Sequence, residues 1–323
     1  MDSPPLSPSQ SDGGATSSPP SKVLVLCVGV IFPGAGHFLG GLPRRATGFA
    51  LTGMALSIAV SLAAASAPSK ASLALYVAPY LLHLLSLLDL ARTPREKLVP
   101  VRVPAIGRVV ALVVAVFFMR NGLRNHVVAF FAQPTGSMAP SVAVGDYFLV
   151  SKLAPPPAAG DIVVFESPEQ ADQILVKRLV GVAGDRIEQD GASLSINGKP
   201  IPSCVLGEVR IEGKDTRFTL ESLGGHLYLV AWDPYLRSEP ARWDVLAGEV
   251  FVVGDNRNNS HDSRLFRGKG AGVPSGSLLG RATYRIFRAG GMALGPLDDL
   301  ALPPGAESLA SRLTACRAEL GGG

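Results

Sequence analysis

Four apolar stretches occupy the first part of this chain: Val23–Leu42, Ala46–Ala67, Ala71–Ala91 and Pro104–Met119. Each approaches the ~20 residues with which a helix crosses about 30 Å of hydrocarbon. Only helices or closed barrels satisfy their backbone in lipid, so residues 22–119 read as a helical membrane region of about four segments. The first stretch contains Pro33, Gly34, Gly36 and His37, which predicts a kinked or re-entrant segment. The fourth is the shortest and carries Arg108 near its start, where a long side chain can reach the headgroups.

Basic residues orient these segments. Arg44 and Arg45 separate the first two, and Arg92, Arg95, Lys97, Arg102 and Arg108 flank the connection between the last two. Lys70 alone marks the turn between the second and third. Positive loops stay in the cytoplasm, which places everything after Met119 on the other side. The parity holds even if the first segment only dips into the bilayer. Residues 1–21 are mostly Ser, Pro and Gly, the composition of a disordered tail without the basic start of a signal peptide.

The net charge of +4 over 323 residues is dispersed arginine, much of it at membrane flanks, so nucleic acid is not an expected partner. Cys27, Cys204 and Cys316 form neither a disulfide framework nor a metal-ligand spacing. Cys27 reads as a small apolar residue. A Cys204–Cys316 bridge would need both to face an oxidising compartment and is not the expectation here. The histidines are scattered with no HExxH pair, so neither a metal nor another cofactor is expected.

Residues 120–289 read as β. Asn197-Gly198 and Asp190-Gly191 are hairpin signals beside the short alternating runs Arg186–Gln189 and Ser193–Ile196. Further strands are expected at Tyr147–Ser151, Asp161–Phe165, Ile174–Val182, His226–Ala231, Glu249–Val253 and Ala282–Phe287. Residues 290–323 hold one weakly amphipathic piece near Glu307–Leu320 and are expected to form an appendage.

Three stretches of the β region carry chemistry. They are Phe131-Ala-Gln-Pro-Thr-Gly-Ser-Met138, followed by Pro140 and Gly145-Asp146; Leu175-Val-Lys-Arg-Leu-Val-Gly-Val-Ala-Gly-Asp185; and Val253-Gly-Asp-Asn-Arg-Asn-Asn-Ser-His-Asp-Ser-Arg264. In order and approximate spacing these resemble the motifs of the type I signal peptidases (leader peptidases), over about Arg120–Phe287. The resemblance implies a mainly β catalytic domain of the signal-peptidase kind, held on the periplasmic side of a bacterial inner membrane. It also implies a serine endopeptidase with a Ser/Lys dyad that removes signal peptides from secretory preproteins, after small residues of the Ala-x-Ala type.

By motif position the resemblance implies Ser137 as nucleophile and Lys177 as general base. Thr135 stands where the family usually has an oxyanion-hole serine, with Ser137 completing that hole. Ser260 would hydrogen-bond the lysine, and Asp255, Asp262, Arg178 and Arg264 would hold the frame. Gln133, Met138 and Val176 would lie by the substrate cleft. No metal or other cofactor is implied.

The chemistry can be argued without the family. A serine hydroxyl needs an adjacent base, and lysine can act as one only when neutral, which burial favours. Strand alternation puts Lys177 with Leu175 and Leu179, and Arg178 with Val176 and Val180. Both faces are apolar, so parity does not choose between them. Arginine does not release its proton, which leaves Lys177 as the base. A rival Ser–His–Asp triad through His261 and Asp262 is disfavoured, because adjacent residues on an extended strand point to opposite faces. The Asp255–Arg264 loop also fails as a Ca²⁺ loop, with Arg257 at position three and Ser260 where glycine is required.

Phe130, Phe131, Met138 and Val142 fit an apolar entrance near membrane lipid, and fit core packing equally well. The chain departs from the family pattern at Thr135, at Gln133, where an apolar residue is usual, and at Asn258, often an aspartate. The number of membrane segments also exceeds the usual one or two. Pro33-Gly-Ala-Gly-His-Phe-Leu-Gly-Gly41 is loosely similar to the Gly-rich turn of small two-span membrane modules. Two other readings remain open: a maturation peptidase for a narrow substrate class, and a non-catalytic membrane scaffold. The self-cleaving Ser/Lys repressors would require a DNA-binding module in place of the membrane segments.

Overall fold

A computed structural model describes residues 19–99, 103–153, 155–236, 238–288 and 291–321. The tail expected over residues 1–21 falls almost wholly outside them. Two compact units emerge, Met1–Ile58 with Tyr76–Arg120, and Ala59–Leu75 with Asn121–Gly323.

The helices are α1 (Lys22–Gly29), α2 (Ala35–Leu39), α3 (Pro43–Ser66), α4 (Lys70–Ala74), α5 (Ala78–Arg92), α6 (Val103–His126) and α7 (Ala310–Gly321). Among the described residues, three helical segments are long and apolar enough to cross a membrane: Pro43–Ser66, Lys70–Arg92 and Ile106–His126. The first apolar stretch is not a fourth straight span. It is split into α1 and α2, and an eight-residue helix rises only about 12 Å. The break falls at Pro33-Gly34, where Gly34 adopts φ 91° and a Cβ would lie 2.3 Å from the Ala46 carbonyl oxygen. Val25, Leu39, Leu90 and Leu98 form the small core of the first unit. Buried His37 meets Asp89 at 2.9 Å, and Arg45 reaches the same carboxylate.

In the second unit the strands are β1 (Val128–Ala132), β2 (Tyr147–Ser151), β3 (Ile162–Glu166), β4 (Ile174–Val182) and β5 (Arg186–Asp190). Next come β6 (Ser193–Ile196), β7 (Lys199–Pro200), β8 (Ser203–Ile211), β9 (Lys214–Leu223) and β10 (His226–Trp232). The last are β11 (Ala241–Asp244), β12 (Glu249–Val253), β13 (Val273–Pro274), β14 (Leu278–Arg288) and β15 (Gly291–Pro296). An antiparallel sheet runs β1-β2-β14-β3-β4-β12-β13, with β15 added on β14. Two smaller sheets, β10-β9-β8 and β11-β5-β6-β7, complete the unit. The fold is therefore mainly β, with an N-terminal set of apolar helices.

Both faces of the large sheet are covered, which explains why β4 carries no polar stripe. One face packs Met138, Phe148, Val150, Val164 and Val176, and the other packs Val163, Phe165, Leu179, Val252 and Phe266. The expected strands form, and Asn197-Gly198 makes a two-residue hairpin in which both residues have positive φ. The hairpin β8–β9 was not foreseen. Its turn is Glu212-Gly213, also with positive φ at both positions, but Glu is an unusual residue there.

Residues 291–321 are not an appendage. Strand β15 joins the large sheet, and α7 packs on β8 and β9, with Cys316 of the helix and Ala306 and Leu309 just before it against Cys204, Leu206 and Phe218. Cys204 and Cys316 are disulfide-bonded, contrary to the expectation from sequence. A separation of 112 residues hides the pairing; only the docking of α7 on β8 brings the sulfurs together. Among the described residues, the metal-competent grouping of Cys204, Cys316 and Glu319 sits at this bond, which consumes both sulfurs.

Candidate active site

Ser137 sits in a short helical turn, Gly136–Met138, just after β1. Lys177 lies at the middle of β4, paired with Val163 across β3. The turn and the strand meet so that Lys177 Nζ is 2.8 Å from Ser137 Oγ. Both residues are buried, Lys177 to 3% exposure. Burial is the main influence on the ammonium and draws its pKa down to about 8. The charges of Asp262 and Asp255 act in the opposite sense, and Arg264 adds to the lowering.

The Asp255–Arg264 loop braces this pair. Asn256 donates through its backbone N–H to Ser137 O at 3.1 Å and through Nδ2 to Gly136 O at 3.0 Å. Gly254 is required by close approach, since a Cβ there would lie 2.5 Å from Ser137 O and 2.2 Å from Ser260 Oγ. Asp262 accepts from Gly254 N at 2.9 Å and from Arg264 Nε and Nη2, both at 2.8 Å. Burial alone would raise the Asp262 carboxyl; the Arg264 charge and these hydrogen bonds outweigh it and hold the pKa below the usual value. On the neighbouring position of β4, Arg178 forms a buried two-pronged pair with Asp255 and donates to Gly160 O. Its guanidinium also lies 3.7 Å from the Tyr228 ring centroid.

Thr135 Oγ1 lies 3.3 Å from Ser137 Oγ, and Thr135 is exposed. Ser137, Lys177 and Thr135 are thus together, with Asp255, Asp262, Arg178 and Arg264 around them. Ser260 departs from its expected contact. Its hydroxyl is buried over Gly254 and makes no hydrogen bond to Lys177; it lies against the Asp262 carboxylate, whose pKa it helps to lower. The turn Arg257–Asn259 carries it into the space left by the missing side chain of Gly254.

Met138 and Val176, expected beside a cleft, are core residues, 0% and 7% exposed, because they face the apolar layer under the sheet. Gln133 is buried too, at 3%. Of the four residues offered as an apolar entrance, Met138 and Val142 are in the core, Phe131 is half-buried and Phe130 is exposed. His261 and Asp262 diverge: His261 Nε2 meets Glu169 at 2.6 Å, while Asp262 pairs with Arg264. The Ser–His–Asp alternative therefore has no orienting pair.

Several supports of the site carry no local sequence signal. Arg285 on β14 forms a buried pair with Asp146 at 3.0 Å and donates to Ser141 O, bracing the segment after Ser137. Arg257 pairs with Glu221 of β9. The motif position of Asp146 was a signal for the first pair; nothing local pointed to Arg285 or Glu221.

A family model described as signal peptidase, peptidase S26, matches residues 105–287, more than half of the chain. The chain belongs to this family. It is 33% identical over 169 residues to a signal peptidase I of Pseudomonas aeruginosa, covering 47% of this chain and 60% of that protein. It is 28% identical to a signal peptidase I of Leptolyngbya laminosa, over 57% of this chain and 78% of that one. A solved signal peptidase I from Enterococcus faecalis aligns at 30% identity, 39% of this chain and 97% of that one, with a TM-score of 0.25. The chain thus spans only about 60% of the length of the two Pseudomonas relatives it matches.

Proposed function

We propose that the protein is a membrane-bound serine endopeptidase that removes N-terminal signal peptides from secretory preproteins. The contact of 2.8 Å between Lys177 Nζ and Ser137 Oγ, inside a site whose burial lowers the lysine pKa to about 8, carries this reading. Lys177 takes the hydroxyl proton as Ser137 Oγ attacks the scissile carbonyl. The resulting ammonium then protonates the leaving amine, and water hydrolyses the acyl-enzyme with Lys177 again as base. Thr135 Oγ1 and the Ser137 backbone N–H are the donors for the oxyanion. Arg178, Asp255, Asp262 and Arg264 hold the geometry, while Ser260 lies next to the dyad as a buried hydroxyl.

The preference for small residues such as Ala-x-Ala comes from the family resemblance. In the same reading, membrane lipid surrounds the three apolar helices, and the basic residues at Arg44-Arg45 and Arg92–Lys97 face the cytoplasm. The β unit then lies on the periplasmic side of a bacterial inner membrane, where the Cys204–Cys316 bond is chemically at home.

The test is cleavage of a model preprotein by the purified full chain in detergent, with sequencing of the new N-terminus. Lys177→Arg should abolish cleavage, because a guanidinium cannot accept the serine proton. His261→Ala should retain most of it. A Lys177→Arg variant near wild-type rate, or a dead His261→Ala variant with normal unfolding, refutes the dyad.

A further inference from the structure

Gln133 stands where the family usually has an apolar residue, and the structure gives its amide a task. The residue follows β1 directly and its backbone is clamped on both sides. Its N–H donates to Asp146 O at 2.9 Å and its carbonyl accepts from Gly145 N at 2.8 Å. The buried side chain places Nε2 at 2.8 Å from Thr135 O and 3.4 Å from Thr135 Oγ1. A carbonyl oxygen can only accept, so the amide atom facing it must be the nitrogen. That nitrogen can only donate. Thr135 Oγ1 therefore meets it as an acceptor, and the hydroxyl proton must turn elsewhere. Ser137 Oγ lies 3.3 Å from the same hydroxyl and is free to accept from it. The β-methyl of Thr135 restricts χ1 and limits the remaining freedom of that hydroxyl.

We propose that Gln133 is a positioning residue that presets the Thr135 hydroxyl as a donor aimed at the reaction centre beside Ser137. The inference rests on the serine-peptidase reading above. A donor turned toward the developing oxyanion before the reaction needs no reorganisation during it, which is where such groups gain their effect. Without the amide, the Thr135 hydroxyl rotates among competing acceptors, including water. With a carboxylate in its place the polarity reverses: the Thr135 O–H donates to the carboxylate and is drawn away from the oxyanion.

The experiment uses the full chain in detergent and a model preprotein, comparing wild type, Gln133→Leu, Gln133→Glu, Thr135→Val and the double variant Gln133→Leu/Thr135→Val. Gln133→Leu should lower kcat by about tenfold with KM unchanged, a part of the ~10²–10³ expected for losing the donor outright. Gln133→Glu, nearly isosteric and so a safeguard if the leucine variant folds poorly, should fall to the level of Thr135→Val. In the double variant Gln133→Leu should add nothing to Thr135→Val, a coupling that a merely structural role would not produce. Wild-type kcat in folded Gln133→Leu and Gln133→Glu, or losses that multiply in the double variant, overturn the inference alone. A wild-type chain that cleaves no preprotein overturns the parent reading with it.

Discussion

Replacing Lys177 by methionine should make the protein inactive and more stable at neutral pH. Burial imposes a pKa of about 8 on Lys177, against 10.5 for a free lysine. In the unfolded chain the amine holds its proton more tightly than in the fold. Below about pH 8, where both states are protonated, folding must therefore carry a buried ammonium at a cost of about 3 kcal/mol. The cost shrinks as pH rises from about 8 towards 10.5 and is absent above that. Methionine fills similar space without charge but forfeits the contact with Ser137, worth about 1 kcal/mol. The expected net gain at pH 7 is about 2 kcal/mol, turning into a small loss above pH ~11.

Urea unfolding of the full chain in detergent, followed through Trp232 and Trp243 fluorescence, measures both values. With Lys177 as the base proposed above, the same pKa sets the rate: the neutral fraction is about a tenth at pH 7 and nine-tenths at pH 9, so kcat/KM should climb about tenfold and level off. A Lys177→Met variant less stable than wild type at pH 7, or a wild-type profile flat from pH 6 to 9, would refute the argument.

His226 bridges Asp161 and Asp298, each at 3.4 Å, and the hydrogen bonds to these two carboxylates lift its pKa to about 9. The sign is opposite to that of Lys177: the bridge contributes fully below about pH 6.5 and is lost as pH rises through about 9. His226→Gln should therefore lower the urea midpoint at pH 6 and leave it unchanged at pH 10. The Cys204–Cys316 bond closes a loop of over a hundred residues, and Cys204→Ser with Cys316→Ser should cost about 4 kcal/mol, lowering the thermal midpoint. In intact cells both thiols should react with a maleimide only after reduction; reaction beforehand would contradict the bond and the compartment proposed for it.

Much of the architecture was legible because it depends on local pattern. Apolar length marks helices that can cross a membrane, and period-two runs bounded by Asp-Gly or Asn-Gly mark strands such as β5 and β6. Ser137 is singled out only by its motif position, and Lys177 is preferred over Arg178 as a candidate base because a lysine can lose its proton where an arginine cannot. What local pattern cannot carry is which distant groups meet. The hairpin β8–β9 hid because its turn uses Glu212, and its charged residues blur the alternation.

Cys204 and Cys316 looked unrelated until α7 docked on β8. Met138 and Val176 look like cleft residues from their motif positions, yet the covered face of the sheet takes them inside. Ser260 occupies the space that Gly254 leaves, and Gln133 owes its contact with Thr135 to the clamp between residues 133 and 145–146. Sequence specifies which side chains are capable of proton transfer. Only packing decides which are desolvated, which are within reach, and which way a shared proton points.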